Sequence, residues 1–282
     1  MTTLGLVGNG FVGGAATQLA CDHVTLKVYD LDSTKCMPTD TTLGDVAACD
    51  LVFVAVPTPM DSKTGRCHTK FVESVIEDLK RLNKDCNIIV RSTCPPGFAD
   101  TNSVHFLPEF LTEANANKDF VENNLWILGH NRIADKETEV PAILQSILTA
   151  ARLAGNIKHD TLKVVTAREA ELTKYVRNCY LSVKVSFFNE VYDVCKENSA
   201  DFEIVRELVT ADPRIGKSHS RVPGPDGKRG FGGHCLPKDI AAWCTFTQTD
   251  SFFSLVNTAR HRNTNLDRKE KDWTSLKGRA II

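Results

Sequence analysis

The stretch Leu4-Gly5-Leu6-Val7-Gly8-Asn9-Gly10-Phe11-Val12-Gly13-Gly14-Ala15-Ala16-Thr17-Gln18-Leu19-Ala20 decides the fold. A short apolar run, a glycine-punctuated turn and a helix-forming run follow one another, the order of a βα unit whose turn reads Gly-x-Gly-x-x-Gly. The spacing alone is weak, because glycines gather in turns for many reasons. Its context adds weight: the next apolar run, Val24 to Tyr29, ends at Asp30, where a carboxylate can accept from ribose hydroxyls.

Gly8, Gly10 and Gly13 permit a tight turn and let a pyrophosphate approach the helix start, where unpaired amides and the helix dipole favour anions. The competing reading is an ordinary glycine turn followed by a surface aspartate. If Asp30 does meet a ribose, it repels a 2′-phosphate, so NAD is expected rather than NADP.

Working outward, Leu51 to Val56 is a continuous apolar run of the kind a parallel sheet buries on both faces, and Asn87 to Val90 repeats it. Helical segments such as Lys70 to Leu82 alternate with these runs, which predicts a doubly wound, Rossmann-like parallel sheet. From Thr166 the texture changes. Thr166-Ala167-Arg168-Glu169 has the form of a capping box, and neither Gly nor Pro follows until Pro213. One helix is therefore expected from Thr166 to about Asn198, roughly 50 Å long at 1.5 Å per residue. Leu181, Val185, Phe188 and Tyr192 would be its apolar stripe, and such a length suits a domain boundary or a dimer.

The expected organisation is an α/β cofactor domain over 1–160, an all-α central dimerisation domain over 161–262, and a charged tail over 263–282. Arg260 to Lys271 reads as a solvated charged run, and Ser218 to Gly233 as a loop rich in Gly and Pro.

The chain has 282 residues, 34 Lys+Arg against 35 Asp+Glu and a formal charge of -1, so nothing in its charge calls for nucleic acid or an anionic membrane. The longest apolar stretches are broken by Pro57, Asn178 or Lys184, short of a membrane span. The N-terminus lacks the basic and small-residue pattern of a signal peptide, which leads us to expect a cytoplasmic protein. Ten cysteines show no C-x-x-C pair and no zinc spacing, so most are expected to be small buried hydrophobes and no metal is expected.

Cys235 differs in its surroundings, Gly230-Phe231-Gly232-Gly233-His234-Cys235-Leu236-Pro237-Lys238-Asp239. The glycines give close backbone access, and Lys238 and Asp239 set a cation and a carboxylate near a thiol that a cation can activate as a nucleophile. A buried inert thiol is the alternative. Lys174 and Asn178 are four residues apart on the long helix and can reach one ligand from one face. Glu109 and Glu113 share that spacing, and for both pairs a solvated helix face is the plain alternative.

Together these stretches resemble the UDP-glucose/GDP-mannose dehydrogenase family. The motifs run in order: the glycine fingerprint, Val56-Pro57-Thr58-Pro59, Ser92-Thr93, Pro108-Glu109-Phe110-Leu111-x-Glu113, Glu171-x-x-Lys174-Tyr175-x-x-Asn178, Asp212-Pro213-Arg214-Ile215-Gly216 and Gly230-Phe231-Gly232-Gly233-x-Cys235-x-Pro237-Lys238-Asp239.

The resemblance implies a four-electron oxidation of a nucleotide sugar at C6, UDP-glucose first, with two NAD in succession and a thiohemiacetal and thioester on Cys235. Lys174 and Asn178 would stabilise charge on the reacting oxygen. Asp239, Thr93 and Glu109 would order water or accept protons. Gly8, Gly10, Phe11, Val12, Gly13, Asp30, Lys35, Thr58, Thr93, Glu113 and Lys238 would hold the cofactor. Glu109, Phe110, Leu111, Lys174, Asn178, Arg214, Phe231, Gly232 and Gly233 would meet the sugar, Arg214 commonly from across a homodimer.

Two departures stand out. The connection between Asp32 and Asp50 is short for the family, and Leu276 to Ile282 looks like the first strand of the family's third domain. Two other readings stand beside the first: a non-catalytic NAD-binding or dimerising homologue, which the shortening favours, and a two-electron β-hydroxyacid dehydrogenase, a class that also pairs a Rossmann domain with a long helix and uses a Lys, which would leave Cys235 without a role.

Overall fold

The computed structural model describes residues 1–131, 139–248 and 254–282, except for the side chain of Glu113. Its contacts divide the chain into one unit of Met1–Thr58 with Thr69–Lys174, and a second of Pro59–His68 with Tyr175–Ile282. Where the sequence suggested a boundary near 160, the division falls inside a helix, at Lys174.

The first unit is built on a seven-stranded sheet. Its strands are β1 (Thr2–Val7), β2 (Val24–Tyr29), β3 (Leu51–Val54), β4 (Ile88–Val90), β5 (His105–Phe106), β6 (Trp126–His130) and β7 (Leu162–Thr166). They lie in the order β2-β1-β3-β4-β5-β6-β7. Every pairing is parallel except β5 with β6, an antiparallel step that the apolar runs did not announce.

The helices are α1 (Phe11–Ala16), α2 (Leu43–Ala47), α3 (Lys70–Leu82), α4 (Phe98–Asn102), α5 (Ala116–Val121) and α6 (Glu139–Leu153). Successive strand residues serve opposite layers. Leu4, Leu6, Phe53 and Ile89 pack with Leu144, Ile147 and Leu148 of α6. Val52, Val54, Ile88 and Val90 pack with Val72, Ile76 and Leu79 of α3. This two-residue alternation, buried on both sides, is why these runs are apolar throughout. The order reverses at β1 and β3, so the crevice beyond their carboxyl ends is the ligand site that this topology favours.

The long helix α7 (Ala167–Glu197) has 31 residues and starts as the sequence predicted. Thr166 N donates to Glu169 Oε2 at 2.8 Å and Glu169 N to Thr166 Oγ1 at 3.3 Å. In the second unit α7 continues, followed by α8 (Phe202–Thr210), α9 (Leu236–Thr247) and α10 (Leu255–Arg262). Phe188 and Tyr192 of α7 pack against Phe202 and Val222, and Val185 against Phe231 and Ile240. Val185, Phe188 and Tyr192 of the predicted stripe thus point into this unit's own core. The face left open instead carries Val176, Tyr180, Phe187 and Val194, each 51–58% exposed.

The run from Arg260 to Lys271 is not the solvated surface that its composition suggested. Asn263, Asp267 and Arg268 are buried, at 1%, 7% and 2% exposure. Arg262 pairs with Asp193 and Asp267, and Arg268 with Asp226 and Asp272, so the charges are buried as partners rather than alone. Residues 280–282 pair with the segment after Pro59: Met60 N donates to Ala280 O at 2.9 Å, and Ile282 N to Met60 O at 2.8 Å.

Candidate active site

In the first unit the glycine fingerprint bridges β1 and α1. Gly8 has φ +92, and a Cβ there would lie 2.8 Å from Ala55 O, while one on Gly13 would lie 1.8 Å from Gly8 O. Gly10 is different: a Cβ there would meet nothing within 4 Å, so the backbone faces open space at the start of α1. The turn is thus a cradle closed to side chains on its inner side and accessible on its outer one, and it fits a dinucleotide pyrophosphate. Phe11 and Val12 form the first helical positions. Asp30 has a structural task as well, since its carboxylate accepts from Asn9 N at 2.7 Å and Asp32 N at 2.9 Å. Lys35 O accepts from Asn9 Nδ2 at 2.8 Å, and Lys35 Nζ lies 3.6 Å from Asp32.

Thr58 and Thr93 are buried, at 5% and 8% exposure. Ser92 Oγ donates to Val56 O at 2.6 Å, joining the ends of the loops after β3 and β4. Following β5, Glu109 meets Lys174: Nζ donates to Oε1 and to the Glu109 carbonyl, both at 2.7 Å, with each side chain 4% exposed. The Lys174 ammonium also lies 5.6 Å from the Phe110 ring centroid, and Leu111 N donates to Glu109 Oε2 at 2.7 Å. Burial alone would raise the Glu109 carboxyl, but Lys174, the Leu111 amide and Arg91 together hold it below the ordinary glutamate value. The solvated face expected as the alternative for Lys174 is therefore excluded. The side chain of Glu113 lies outside the described residues.

Sequence reasoning missed Arg91 in this unit and gave Glu171 no role of its own. Arg91 is 2% exposed and sits over the rings of Phe53 and Phe120, its guanidinium pushed down to about 10 by burial despite the Glu109 charge. Glu171 accepts from Gly97 N at 2.5 Å and Ala99 N at 2.7 Å, and burial pushes its carboxyl up to about 7 against those amides. It holds the first turn of α4. The Glu-x-x-Lys spacing flagged its helix but not this role.

In the second unit, Cys235 is the N-cap residue of α9, with Pro237 in the first turn. Asp239 N donates to Cys235 O at 3.0 Å. The Asp239 carboxylate, 1% exposed, takes Asn178 Nδ2 at 2.5 Å on one oxygen and Lys238 Nζ on the other. Burial would lower Lys238, but the Asp239 carboxylate beside it holds it above the ordinary lysine value. Thus Asn178, Lys238, Asp239 and Cys235 are brought together.

The loop before Cys235 is gripped by residues that the sequence did not single out. Asn263 brackets Phe231, accepting from its N at 2.8 Å and donating to its O at 3.0 Å. Asn189 Oδ1 accepts from Gly230 N at 3.1 Å. Gly232 lies against Arg268, where a Cβ would come within 2.4 Å of Cζ. Gly233 has φ +74 and open space beside it. Nothing in the asparagine spacing pointed to these contacts, which depend on α7 and the segment after α10 meeting the loop. Arg214 stands apart: its side chain is 88% exposed and forks onto Asp212, and Lys184 holds the same turn through the carbonyls of Ile215 and Gly216. Among the described residues no group of His, Cys, Asp and Glu could hold a metal.

Residues 36–151 match the UDP-glucose/GDP-mannose dehydrogenase family, NAD binding domain, and residues 168–265 match the central domain of the same family. NAD is the cofactor of the matched domain. A UDP-glucose 6-dehydrogenase of Rickettsia typhi is 33% identical over 225 residues, covering 75% of this chain and 48% of the relative. A UDP-glucose dehydrogenase structure from Pyrobaculum islandicum superposes with TM-score 0.75 at 26% identity, over 93% of this chain and 67% of that one. A 3-hydroxyisobutyrate dehydrogenase from Mycobacterium tuberculosis shares the fold, with TM-score 0.65 at 17% identity over 92% of this chain and 91% of its own. The chain spans about half the length of the curated relatives it matches. With both family domains matched in order and the motif residues gathered as described, the chain belongs to the UDP-glucose/GDP-mannose dehydrogenase family.

Proposed function

We propose that the chain is an NAD-dependent dehydrogenase oxidising the C6 alcohol of a nucleotide sugar to the carboxylate, with UDP-glucose as the first candidate. The observation that carries this reading is the grouping at the start of α9: a thiol at the N-cap, with Lys238 and Asn178 converging on Asp239. A two-electron hydroxyacid oxidation would leave that thiol without work.

The fingerprint cradle, with Asp30, Lys35, Thr58, Thr93, Glu113 and Lys238, would hold the cofactor. When bound, NAD supplies a hydride acceptor for each of the two oxidations. In the first, C6 loses a hydride and the hydroxyl proton passes to a base, with Lys174 and Asn178 stabilising charge on the oxygen. The Cys235 sulfur then bonds to the aldehyde carbon, and the carbonyl oxygen becomes the hydroxyl of a thiohemiacetal. Loss of a second hydride and of that hydroxyl proton leaves a thioester. Water ordered by Asp239, Thr93 or Glu109 adds to it, the carbon–sulfur bond breaks, and the thiol is restored as the acid departs.

Phe110, Leu111, Phe231, Gly232 and Gly233 would contact the sugar. Arg214, exposed in its own chain, suits a contact from a second copy. A homodimer through Val176, Tyr180, Phe187 and Val194 would cover the apolar face of α7.

The test is turnover with NAD and a panel of UDP- and GDP-sugars, followed as reduced nicotinamide. Two reduced cofactors per sugar with no free aldehyde are expected, and Cys235→Ala should abolish acid formation while NAD binding persists. Wild-type stoichiometry and rate in Cys235→Ala would overturn the thiol's role. Absence of turnover with every sugar, at concentrations where NAD binds, would make the chain the non-catalytic homologue.

A further inference from the structure

In the first unit, the residues that follow Asp30, Leu31 to Lys35, are all exposed, and Cys36 is the first buried side chain after them. Packing does little to fix this loop, so its position depends on hydrogen bonds. Met37 closes it onto β2: its N donates to Val28 O at 3.0 Å, and its O accepts from Val28 N at 2.8 Å. The Cys36 thiol brackets the backbone of Asp30, accepting from its N at 3.4 Å and donating to its O at 3.5 Å.

The other half of the hold comes from the fingerprint turn. Gly8 N donates to Tyr29 O at 2.8 Å, Asn9 N to Asp30 Oδ2 at 2.7 Å, and Asn9 Nδ2 to Lys35 O at 2.8 Å. The first two are backbone donors that any residue but proline would supply. The third needs this side chain, and it reaches 26 positions along the sequence to the far end of the loop. Asn9 stands between Gly8 and Gly10, so its amide group ties the cradle itself to the loop. Each Asp30 oxygen accepts one backbone amide, from Asn9 and from Asp32, which leaves further lone pairs for ribose hydroxyls.

We propose that Asn9 is a positioning residue for the cofactor: through Lys35 O it holds the exposed loop so that Asp30 and Lys35 keep a fixed distance from the pyrophosphate cradle. Loop freedom that NAD would otherwise have to remove on binding is then already lost in the free protein. Without the tether the loop can swing, Asp30 loses its aim at the ribose, and its repulsion of a 2′-phosphate weakens with distance. The proposal rests on the assignment of Asp30 to the adenosine ribose. It goes beyond the glycine pattern, which is indifferent to the residue at position 9.

The test is calorimetric titration of NAD and NADP into the whole chain, as wild type, Asn9→Ala, Asp30→Asn and the double variant. Asn9→Ala keeps the backbone donor to Asp30 and deletes only the tether, and a thermal melt verifies the fold. NAD should bind about fivefold more weakly to it, the worth of one partly exposed hydrogen bond. NADP should change less than twofold, so the preference for NAD falls at least twofold. Asp30→Asn should lower the same preference, and adding Asn9→Ala to it should lower it no further, because the tether acts through Asp30. A lesion that merely loosened the structure would weaken both dinucleotides alike. The proposal is overturned by unchanged NAD affinity in Asn9→Ala, by equal losses for NAD and NADP, or by a full further effect in the Asp30→Asn background. A preference untouched by Asp30→Asn would sink the reading of Asp30 and this proposal with it, whereas an effective Asp30→Asn beside a silent Asn9→Ala would sink this proposal alone. Turnover of sugars enters none of these measurements.

Discussion

Replacing Lys174 with methionine removes a charge while nearly preserving volume, which isolates the electrostatics of the buried pair. The ammonium and carboxylate are 2.7 Å apart, with both side chains 4% exposed. At an effective dielectric of about 20, their attraction is roughly 6 kcal/mol, much of it offset by desolvation. Deleting one partner leaves the other charge buried, and such lesions cost about 3–5 kcal/mol. Arg91 is the remaining cation acting on Glu109, but its pull on that carboxylate is weaker than that of Lys174, so it compensates only in part.

Lys174→Met should therefore lower stability at pH 7 by about 3–5 kcal/mol in urea melts, or roughly 10 °C in Tm. The loss should shrink near pH 4, where the orphaned carboxyl can protonate. Glu109→Gln combined with Lys174→Met should recover most of it, because no charge is then stranded. A single variant within about 1 kcal/mol of wild type, or a double variant no better than the single, would refute this reasoning.

Glu171 predicts the opposite pH trend from Glu109. Its folded carboxyl is raised to about 7 from an ordinary 4.5, so the native state holds the extra proton. Its contribution is complete below pH 4.5 and is lost as pH rises through 7, on the order of 3 kcal/mol. Melts of Glu171→Gln from pH 4 to 8 should lack that fall, and identical pH profiles would count against it. Glu109 is lowered, so its contribution is present above about 4.5 and lost on acidification. Asp30→Asn should keep an acceptor for the Asn9 amide yet narrow the preference for NAD over NADP in binding titrations; a wild type that binds both equally would remove Asp30 from that role. Phe187→Glu, on the exposed face of α7, should shift sedimentation from dimer to monomer without lowering Tm, whereas an unchanged dimer would place the interface elsewhere.

The sequence determined the local structure because those signals are short in range. The continuous apolar runs of β1 and β3 and the glycine turn after β1 were legible along the chain. So was the capping box at Thr166, since each depends on neighbours within a few residues. Thiol, lysine and asparagine were named as candidates from spacing and chemical type alone.

Tertiary structure decided which face and which partner each residue received. Leu181, Val185, Phe188 and Tyr192 read as an apolar stripe for a domain boundary or a dimer, yet α8 and α9 cover Phe188 and Val185, leaving Val176, Tyr180, Phe187 and Val194 outside. Periodicity fixes that a helix has an apolar side, not what packs on it. The run from Arg260 read as solvated because charge composition implies water. Burial became possible only when Arg262 and Arg268 met carboxylates from distant positions such as Asp193 and Asp226. Asn263 is undistinguished in the sequence, and it holds both polar groups of Phe231 only because the chain after α10 returns to the glycine loop.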